Sequence, residues 1–81
     1  MNVVLGHPRI AEVSMRRFYF GLQGKQNVDD RYGMLFQNDL QAFRAGQRLA
    51  TELSQVRPNL HGNTCVVIAP KGDEYHYFVS V

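Results

Sequence analysis

A single amphipathic helix is the feature that most limits what this chain can fold into. Between positions 38 and 58, apolar residues recur at spacings of three and four, namely Ala42, Phe43, Gly46, Leu49, Ala50, Leu53 and Val56. Such spacing forms one stripe along a helix. Asn38 is a good N-cap, Gln41 completes a start similar to a capping box, and Pro58 ends the segment. These signals predict one helix over about 39–56. One helix cannot bury its own stripe, so it must lie on a sheet.

Four segments have the composition of strands. RRFYFGLQ at 16–23 alternates between aromatic and polar residues, and RYGMLF at 31–36 follows the turn-forming GKQNVDD. TCVVIA at 64–69 and EYHYFVSV at 74–81 flank the turn PKGD. Alternation with period two and many β-branched or aromatic residues are typical of strands. The order β-β-α-β-β predicts an α+β fold, a two-layer sandwich with the helix on a largely antiparallel sheet.

The chain is predicted to contain one small domain. Residues 1–14 have no clear period, and Gly6 and Pro8 interrupt them, so they are interpreted as an N-terminal extension or arm before a domain at 15–81. The chain has one cysteine and therefore no internal disulfide, which favours a reducing compartment. Its longest apolar run, CVVIA, is far shorter than the roughly 20 residues of a membrane helix. The first residues do not have the pattern of a signal peptide. We therefore expect a cytoplasmic protein with no membrane partner.

Four motifs follow one another in residues 15–81 in an order that resembles a known family. MRRFYF (15–20) has a methionine, basic residues and an aromatic triplet, and DRYG (30–33) is an Asp-x-x-Gly element. NDLQAFRA (38–45) contains an Asp-Leu-x-Ala helix start, and YFVSV (77–81) is a terminal strand. This order resembles a family of very short alphaproteobacterial proteins of unknown function. The resemblance implies a bacterial protein, matches Met15 to the usual first residue, and supplies no catalytic residue.

Enzyme chemistry has one candidate pair, Cys65 and His76. If a two-residue turn joins the last two strands, these residues are diagonal neighbours on one sheet face, and a thiol needs such a base to become a nucleophile. No third group that would orient the base is evident, so a small apolar thiol and a surface histidine are the favoured interpretation. The histidines and the cysteine do not have the spacing of metal ligands. We expect no catalytic residue, no metal site and no cofactor.

Nucleic-acid binding is the alternative hypothesis. Its candidate residues are Arg16, Arg17 and Tyr19 on the first strand and Arg44 and Arg48 on the helix. Arginine beside an exposed aromatic ring can hold phosphate and stack a base. However, the net charge is only +2, and the aromatic segment does not match the RNA-recognition signature. Surface charge beside a core strand is therefore the favoured interpretation of these residues.

Self-association is the favoured hypothesis. One helix leaves a face or an edge of the sheet without cover, and pairing with a second copy is a common solution. The terminal strand has no charge after Glu74 that would discourage pairing. The predicted interface residues are Tyr75, Tyr77, Phe78 and Val79. We expect a small non-enzymatic binding module that forms a homodimer or binds another protein. An apolar open face would favour self-association, and a basic stripe would favour nucleic acid.

Overall fold

One helix and four strands make up most of residues 14–81, the part of the chain that the computed structural model describes. The strands are β1 (Arg16–Gly24), β2 (Met34–Phe36), β3 (Thr64–Pro70) and β4 (Tyr77–Ser80), and the helix is α1 (Asp39–Val56), followed by a 3₁₀ turn at Pro58–Leu60. The α+β class, the order β-β-α-β-β and the bounds of the helix are confirmed. The predicted N-terminal extension lies, except for its last residue, outside the described residues. Within residues 14–81, no helix combines the length and the apolar character that crossing a bilayer requires.

The strands form one antiparallel sheet in the order β2-β1-β3-β4. β1 and β3 are the central strands, and their pairing extends from Phe18 opposite Pro70 to Gly24 opposite Thr64. β2 and β4 are the two edges. The chain passes from β2 at one edge to β3 through α1, and the helix packs on one face of the sheet, mainly against β3.

The helix approaches the sheet through its smallest residues. Ala42, Gly46 and Ala50 are buried at intervals of one turn, and their small size lets the helix lie close to β3. A Cβ atom on residue 46 would be 2.3 Å from Cδ1 of Ile68 and 3.0 Å from its Cγ1. Glycine at this position therefore makes room for the buried isoleucine. The cost of glycine in a helix interior, about 1 kcal/mol relative to alanine, is offset by this packing.

The larger members of the predicted helix stripe lie at the margins of the contact. Leu49 and Leu53 are only partly buried, and Val56 is 75% exposed at the last helical position. The sheet supplies most of the deeply buried volume. The buried apolar residues within the described range are Phe18, Ala42, Ala50, Leu60, Val66, Ile68 and Val81.

No helix of residues 14–81 lies on the opposite face of the sheet. Along β3, burial alternates at every residue, and the fully buried positions are the ones that face α1. The pairing places the following residues on the other side: Arg17, Tyr19, Gly21 and Gln23 of β1, Leu35 of β2, Cys65, Val67 and Ala69 of β3, and Phe78 and Ser80 of β4. We call this surface the uncovered face.

The β3–β4 hairpin has a different register from that of a two-residue turn. Cys65 lies opposite Ser80, whereas the shorter turn would place it opposite Phe78. β4 begins only at Tyr77, and the hydroxyl of Tyr75, two residues earlier, bonds to Asp39 at the start of α1. A shift of two positions keeps every side chain on its face but changes its partner on the neighbouring strand.

Candidate interaction surface

A groove runs along the uncovered face between β4 and the loop that follows β1. Its volume is about 460 Å³, and its floor and its β4 side are lined by Tyr19, Gly21, Val67, Ala69, His76 and Phe78. The floor is formed by small or apolar residues of the two central strands. Phe78 borders the groove on β4 and is 56% exposed. A large apolar side chain is therefore open to solvent beside an apolar floor.

The loop at 25–30 forms the opposite wall of the groove. Val28 and Leu22 exchange two backbone hydrogen bonds, of 2.9 and 3.0 Å, as an isolated bridge. A Cβ atom at position 21 would point towards the uncovered face and would lie 2.6 Å from the carbonyl oxygen of Val28. Gly21 therefore lets the loop pass over this face, and the surface becomes concave on that side.

Asp30 fixes this loop through its carboxylate. Its Oδ2 accepts the N–H of Phe20 at 3.0 Å, and its Oδ1 accepts the N–H groups of Tyr32 at 3.0 Å and Gly33 at 3.1 Å. Burial alone would raise the pKa of Asp30, but the three backbone donors outweigh it and hold the pKa below its usual value. Gly33 has a φ of 68°, a conformation that favours glycine. The Asp-x-x-Gly element of the sequence is thus a loop-stabilising motif in the structure.

These contacts also close the outer edge of β1. β2 pairs only with the first part of β1, from Arg16 to Phe18. Beyond it, each outward-pointing backbone position of β1 has a partner: Phe20 with Asp30, Leu22 with Val28, and Gly24 with the side chain of Asn27. A further strand arriving at this edge would find these backbone groups already bonded.

A second polar cluster holds the start of β4 against the start of α1. Oδ2 of Asp39, the first helical residue, accepts the hydroxyl of Tyr77 at 2.6 Å and that of Tyr75 at 2.8 Å. Nη1 of Arg16 lies 3.8 Å from Oδ1 of Asp39, and its Nη2 forms an ion pair with Asp73. The two tyrosine rings meet edge to face, with centroids 5.6 Å apart. We call these five residues the Asp39 cluster.

Hydrogen bonds in the Asp39 cluster shift two pKa values in opposite directions. The hydroxyl of Tyr77 lowers the pKa of Asp39 against the opposing effect of burial, with smaller contributions from Tyr75 and Arg16. The hydrogen bond to Asp39 raises the pKa of Tyr77 to about 12, and burial acts in the same direction. Asp39 is therefore ionised and Tyr77 neutral across the ordinary pH range, which preserves the hydrogen bond between them.

A pH titration followed by tyrosinate absorbance is expected to show one late step, which is the ionisation of a tyrosine at unusually high pH. Tyr77 should ionise at a pH of about 12, whereas an ordinary tyrosine ionises near pH 10. Tyr77→Phe should remove the late step, and Tyr32→Phe, at a residue that is 82% exposed, should leave it. Since the pKa is raised in the folded state, the stabilisation is present below about pH 10 and is lost as pH rises towards 12. A late step that persists in Tyr77→Phe would contradict this assignment.

The four predicted interface residues lie on two different faces. Phe78 belongs to the uncovered face. Tyr77 and Val79 face the helix, and the Tyr77 ring contacts Phe43 with a centroid distance of 6.0 Å. Tyr75 is 45% exposed, but its hydroxyl belongs to the Asp39 cluster. Tyr77 and Val79 therefore pack between β4 and the helix. Of the four predicted interface residues, Phe78 is the one that a partner on the uncovered face would contact.

The five residues considered for nucleic-acid contact are divided among three surfaces. Arg17 and Tyr19 lie on the uncovered face, and Nη1 of Arg17 donates to the carbonyl oxygen of Tyr32 at 2.7 Å. Arg16 belongs to the Asp39 cluster. The helix arginines, Arg44 and Arg48, are exposed on α1, on the other side of the sheet. Among the residues of the uncovered face, Arg17 is the one arginine or lysine, so this face has no basic stripe.

The register also separates Cys65 from His76. Cys65 is opposite Ser80, so His76 lies roughly 13 Å away along the strand direction, at about 3.3 Å per residue. A nucleophile and its base need hydrogen-bond distance, and this register does not provide it. Among residues 14–81, no three His, Cys, Asp or Glu side chains are grouped as metal ligands would be.

No protein-family model, curated protein or solved structure matches the chain. The resemblance to the short alphaproteobacterial family therefore stays a prediction. Two carboxylates that organise the surface, Asp30 and Asp39, were not identified as site residues from the sequence. The Asp-x-x-Gly spacing was a signal for the first. The sequence has no comparable signal for the second, because its tyrosine partners are far along the chain.

Proposed function

We propose that the protein is a small non-enzymatic binding module that self-associates through one border of its uncovered face. We call this border, which is formed by Phe78 and Ser80 of β4, the β4 border. The observation that favours this function is Phe78, an aromatic side chain that is 56% exposed beside a groove whose floor is small or apolar. Exposed apolar surface of this kind marks interaction sites. A two-fold dimer would bring the same border of both copies together. Assembly would stop at the dimer, because a two-fold interface uses this border of both copies and leaves none free for a third.

The charge of the uncovered face favours a protein partner over nucleic acid. The groove floor contains Tyr19, Val67 and Ala69, which offer contact area but no cation. Affinity for nucleic acid comes largely from lysine and arginine against phosphate, and the candidate arginines lie on separate surfaces. A second copy of the chain needs no such charge, since its own β4 border contains no lysine or arginine and presents the same exposed Phe78.

A bacterial cytoplasmic location is part of the proposal. It is supported by the single cysteine, which excludes an internal disulfide, and by the resemblance described above. Disulfides are typical of small domains in oxidising compartments, and a domain that does without them is suited to a reducing one.

Phe78→Lys is expected to weaken self-association and to leave the fold intact. Light scattering at tens of micromolar should give a dimer mass for the natural protein and a monomer mass for the variant, because a two-fold interface would place two new positive charges near each other. Val56→Lys is the matched control. It makes a similar change at an apolar residue that is 75% exposed on the other side of the molecule, at a helix C-terminus that favours a cation.

The outcomes separate the alternatives. A natural protein that stays monomeric at this concentration would contradict self-association. A dimer that resists Phe78→Lys would place the interface elsewhere than the β4 border. Binding to single-stranded RNA that is lost in Arg17→Ala would instead favour the nucleic-acid hypothesis.

A further inference from the structure

The geometry points to antiparallel pairing of β4 with β4 of a second copy as the mode of this self-association. The inference rests on the proposed function and specifies which part of the β4 border joins. A two-fold axis perpendicular to the sheet would place the two edge strands side by side in opposite directions. The two four-stranded sheets would become one continuous sheet, with both helices on one side and both uncovered faces on the other.

The two edges of the sheet differ in how their backbone is protected. On one side, β2 has only three residues, and the loop at 25–30 forms hydrogen bonds with the part of β1 that β2 does not pair with. A covering loop is a common defence against strand addition. β4 has neither a charge nor a proline between Tyr77 and Ser80, and it pairs with β3 alone among the described strands. Among residues 14–81, one edge is therefore protected and the other is left available.

The antiparallel ladder determines which backbone groups of β4 point outward. The N–H of Val81 donates to the carbonyl oxygen of Thr64 at 2.9 Å. Because inward and outward positions alternate along such a ladder, the backbone groups of Tyr77 and Val79 also point towards β3. The N–H and C=O groups of Phe78 and Ser80 point away from it. They form the pattern of donors and acceptors that an incoming antiparallel strand requires.

The shape of the uncovered face disfavours the other symmetric arrangement, in which two sheets stack face to face. Stacked sheets lie about 10 Å apart with interdigitated side chains. Here the loop at 25–30 passes over the face at Gly21 and would hold a second sheet away from the groove floor. At the β4 edge, no loop of residues 14–81 makes a backbone hydrogen bond to Phe78 or Ser80. Edge pairing would also place Phe78 beside side chains of the partner's β4 and reduce its exposure.

The Asp39 cluster positions this edge for pairing. β4 is only four residues long, and a strand of that length frays readily without support. Tyr77, its first residue, and Tyr75 just before it are both bonded to Asp39 on α1. These contacts are made on the helix side of the sheet, so they hold β4 in place without occupying the edge that would receive the second copy.

Amide hydrogen exchange over a range of protein concentrations tests the pairing directly. Edge pairing predicts that the amides of Phe78 and Ser80 exchange freely in dilute samples and become protected as the dimer forms. The amides of Tyr77 and Val79 are internal controls, since the ladder already bonds them to β3, and their protection should change much less. A dimer mass without added protection at Phe78 and Ser80 would overturn edge pairing and leave self-association standing. A monomer at every concentration would overturn both.

Ser80→Pro provides an independent test with Ser80→Ala as its matched control. Proline removes an outward N–H and is tolerated on edge strands, whereas alanine keeps that N–H. A two-fold dimer contains the change twice, so Ser80→Pro should raise the dissociation constant roughly tenfold or more, because each lost hydrogen bond contributes about 1 kcal/mol. Ser80→Ala should leave the constant nearly unchanged. Equal effects of the two variants, with the fold verified by circular dichroism, would contradict edge pairing.

Discussion

Phe18→Ala is expected to lower the free energy of unfolding by about 3–5 kcal/mol. Phe18 has no exposed surface, lies in the central strand β1, and meets the ring of Phe36 edge to face with centroids 5.9 Å apart. Alanine would remove this contact and leave a cavity between the sheet and α1. Because proteins have a total stability of about 5–15 kcal/mol and small domains are only marginally stable, the variant should lose a large share of its stability.

Phe78→Ala is the matched control, because it makes the same chemical change on the uncovered face. It should change the free energy of unfolding by less than about 1 kcal/mol, since the side chain is 56% exposed. Urea denaturation measures both variants, at a protein concentration low enough that association does not contribute to stability. Similar losses of stability in the two variants would show that the helix and the groove have been assigned to the wrong faces.

The sequence distinguishes these two phenylalanines only in part. In β1, strict alternation places Phe18, Phe20 and Leu22 on one face, and the structure confirms that this face meets the helix. In the terminal strand, Tyr75 to Val79 are aromatic or apolar at almost every position, so alternation gives no answer. The predicted interface therefore combined residues from both faces. The observed register is accompanied by contacts from Tyr75 and Tyr77 to Asp39 at the start of α1, which are not evident from local sequence.

For the helix too, the sequence predicts the position of the element and its apolar stripe but not how deeply each residue of the stripe is buried. Its bounds and its apolar stripe follow from local signals, the N-cap Asn38 and the three-four spacing. Which members of the stripe lie deepest depends on the side chains of the sheet. Ile68 projects into the space above Gly46, so the small residues make the closest contact and Leu53 remains partly exposed. Helix propensity alone would count this glycine as a defect.

Asp30 and Asp39 make contacts that the spacing of residues along the sequence does not reveal. Asp30 and Phe20 are ten residues apart, and Asp39 and Tyr77 are 38 residues apart. The sequence places Asp30 in the turn-forming segment GKQNVDD and Asp39 at the start of the helix, and both residues do have these local positions. Their second roles, closing one edge of the sheet and holding the other, arise only when distant strands become neighbours.

Asp30→Ala is expected to lower the free energy of unfolding by about 2–3 kcal/mol, within the range for hydrogen bonds to a charged group. Three backbone N–H groups lose their acceptor, and that of Phe20 lies in a partly buried position. The pKa of Asp30 is lowered in the folded protein, so the stabilisation is present above the unfolded value of about 3.9 and is lost as pH falls through the folded pKa. Stability of Asp30→Ala should therefore depend less on pH in the acid range. Asp29→Ala, at the neighbouring exposed residue, is the control and should behave like the natural protein.

Asp30→Ala should also change how the protein associates. Removing the carboxylate leaves the N–H of Phe20 without its acceptor and opens the part of the outer edge of β1 between β2 and the Leu22–Val28 bridge, while the β4 edge stays open. A molecule with two open edges can add a neighbour on each side, so assembly no longer closes at a dimer and larger particles should appear in light scattering. Combining Asp30→Ala with Ser80→Pro blocks one of the two edges and should restore small, defined particles. If Asp30→Ala forms the same dimer as the natural protein, or if the double variant grows as readily as the single one, the assigned roles of the two edges are wrong.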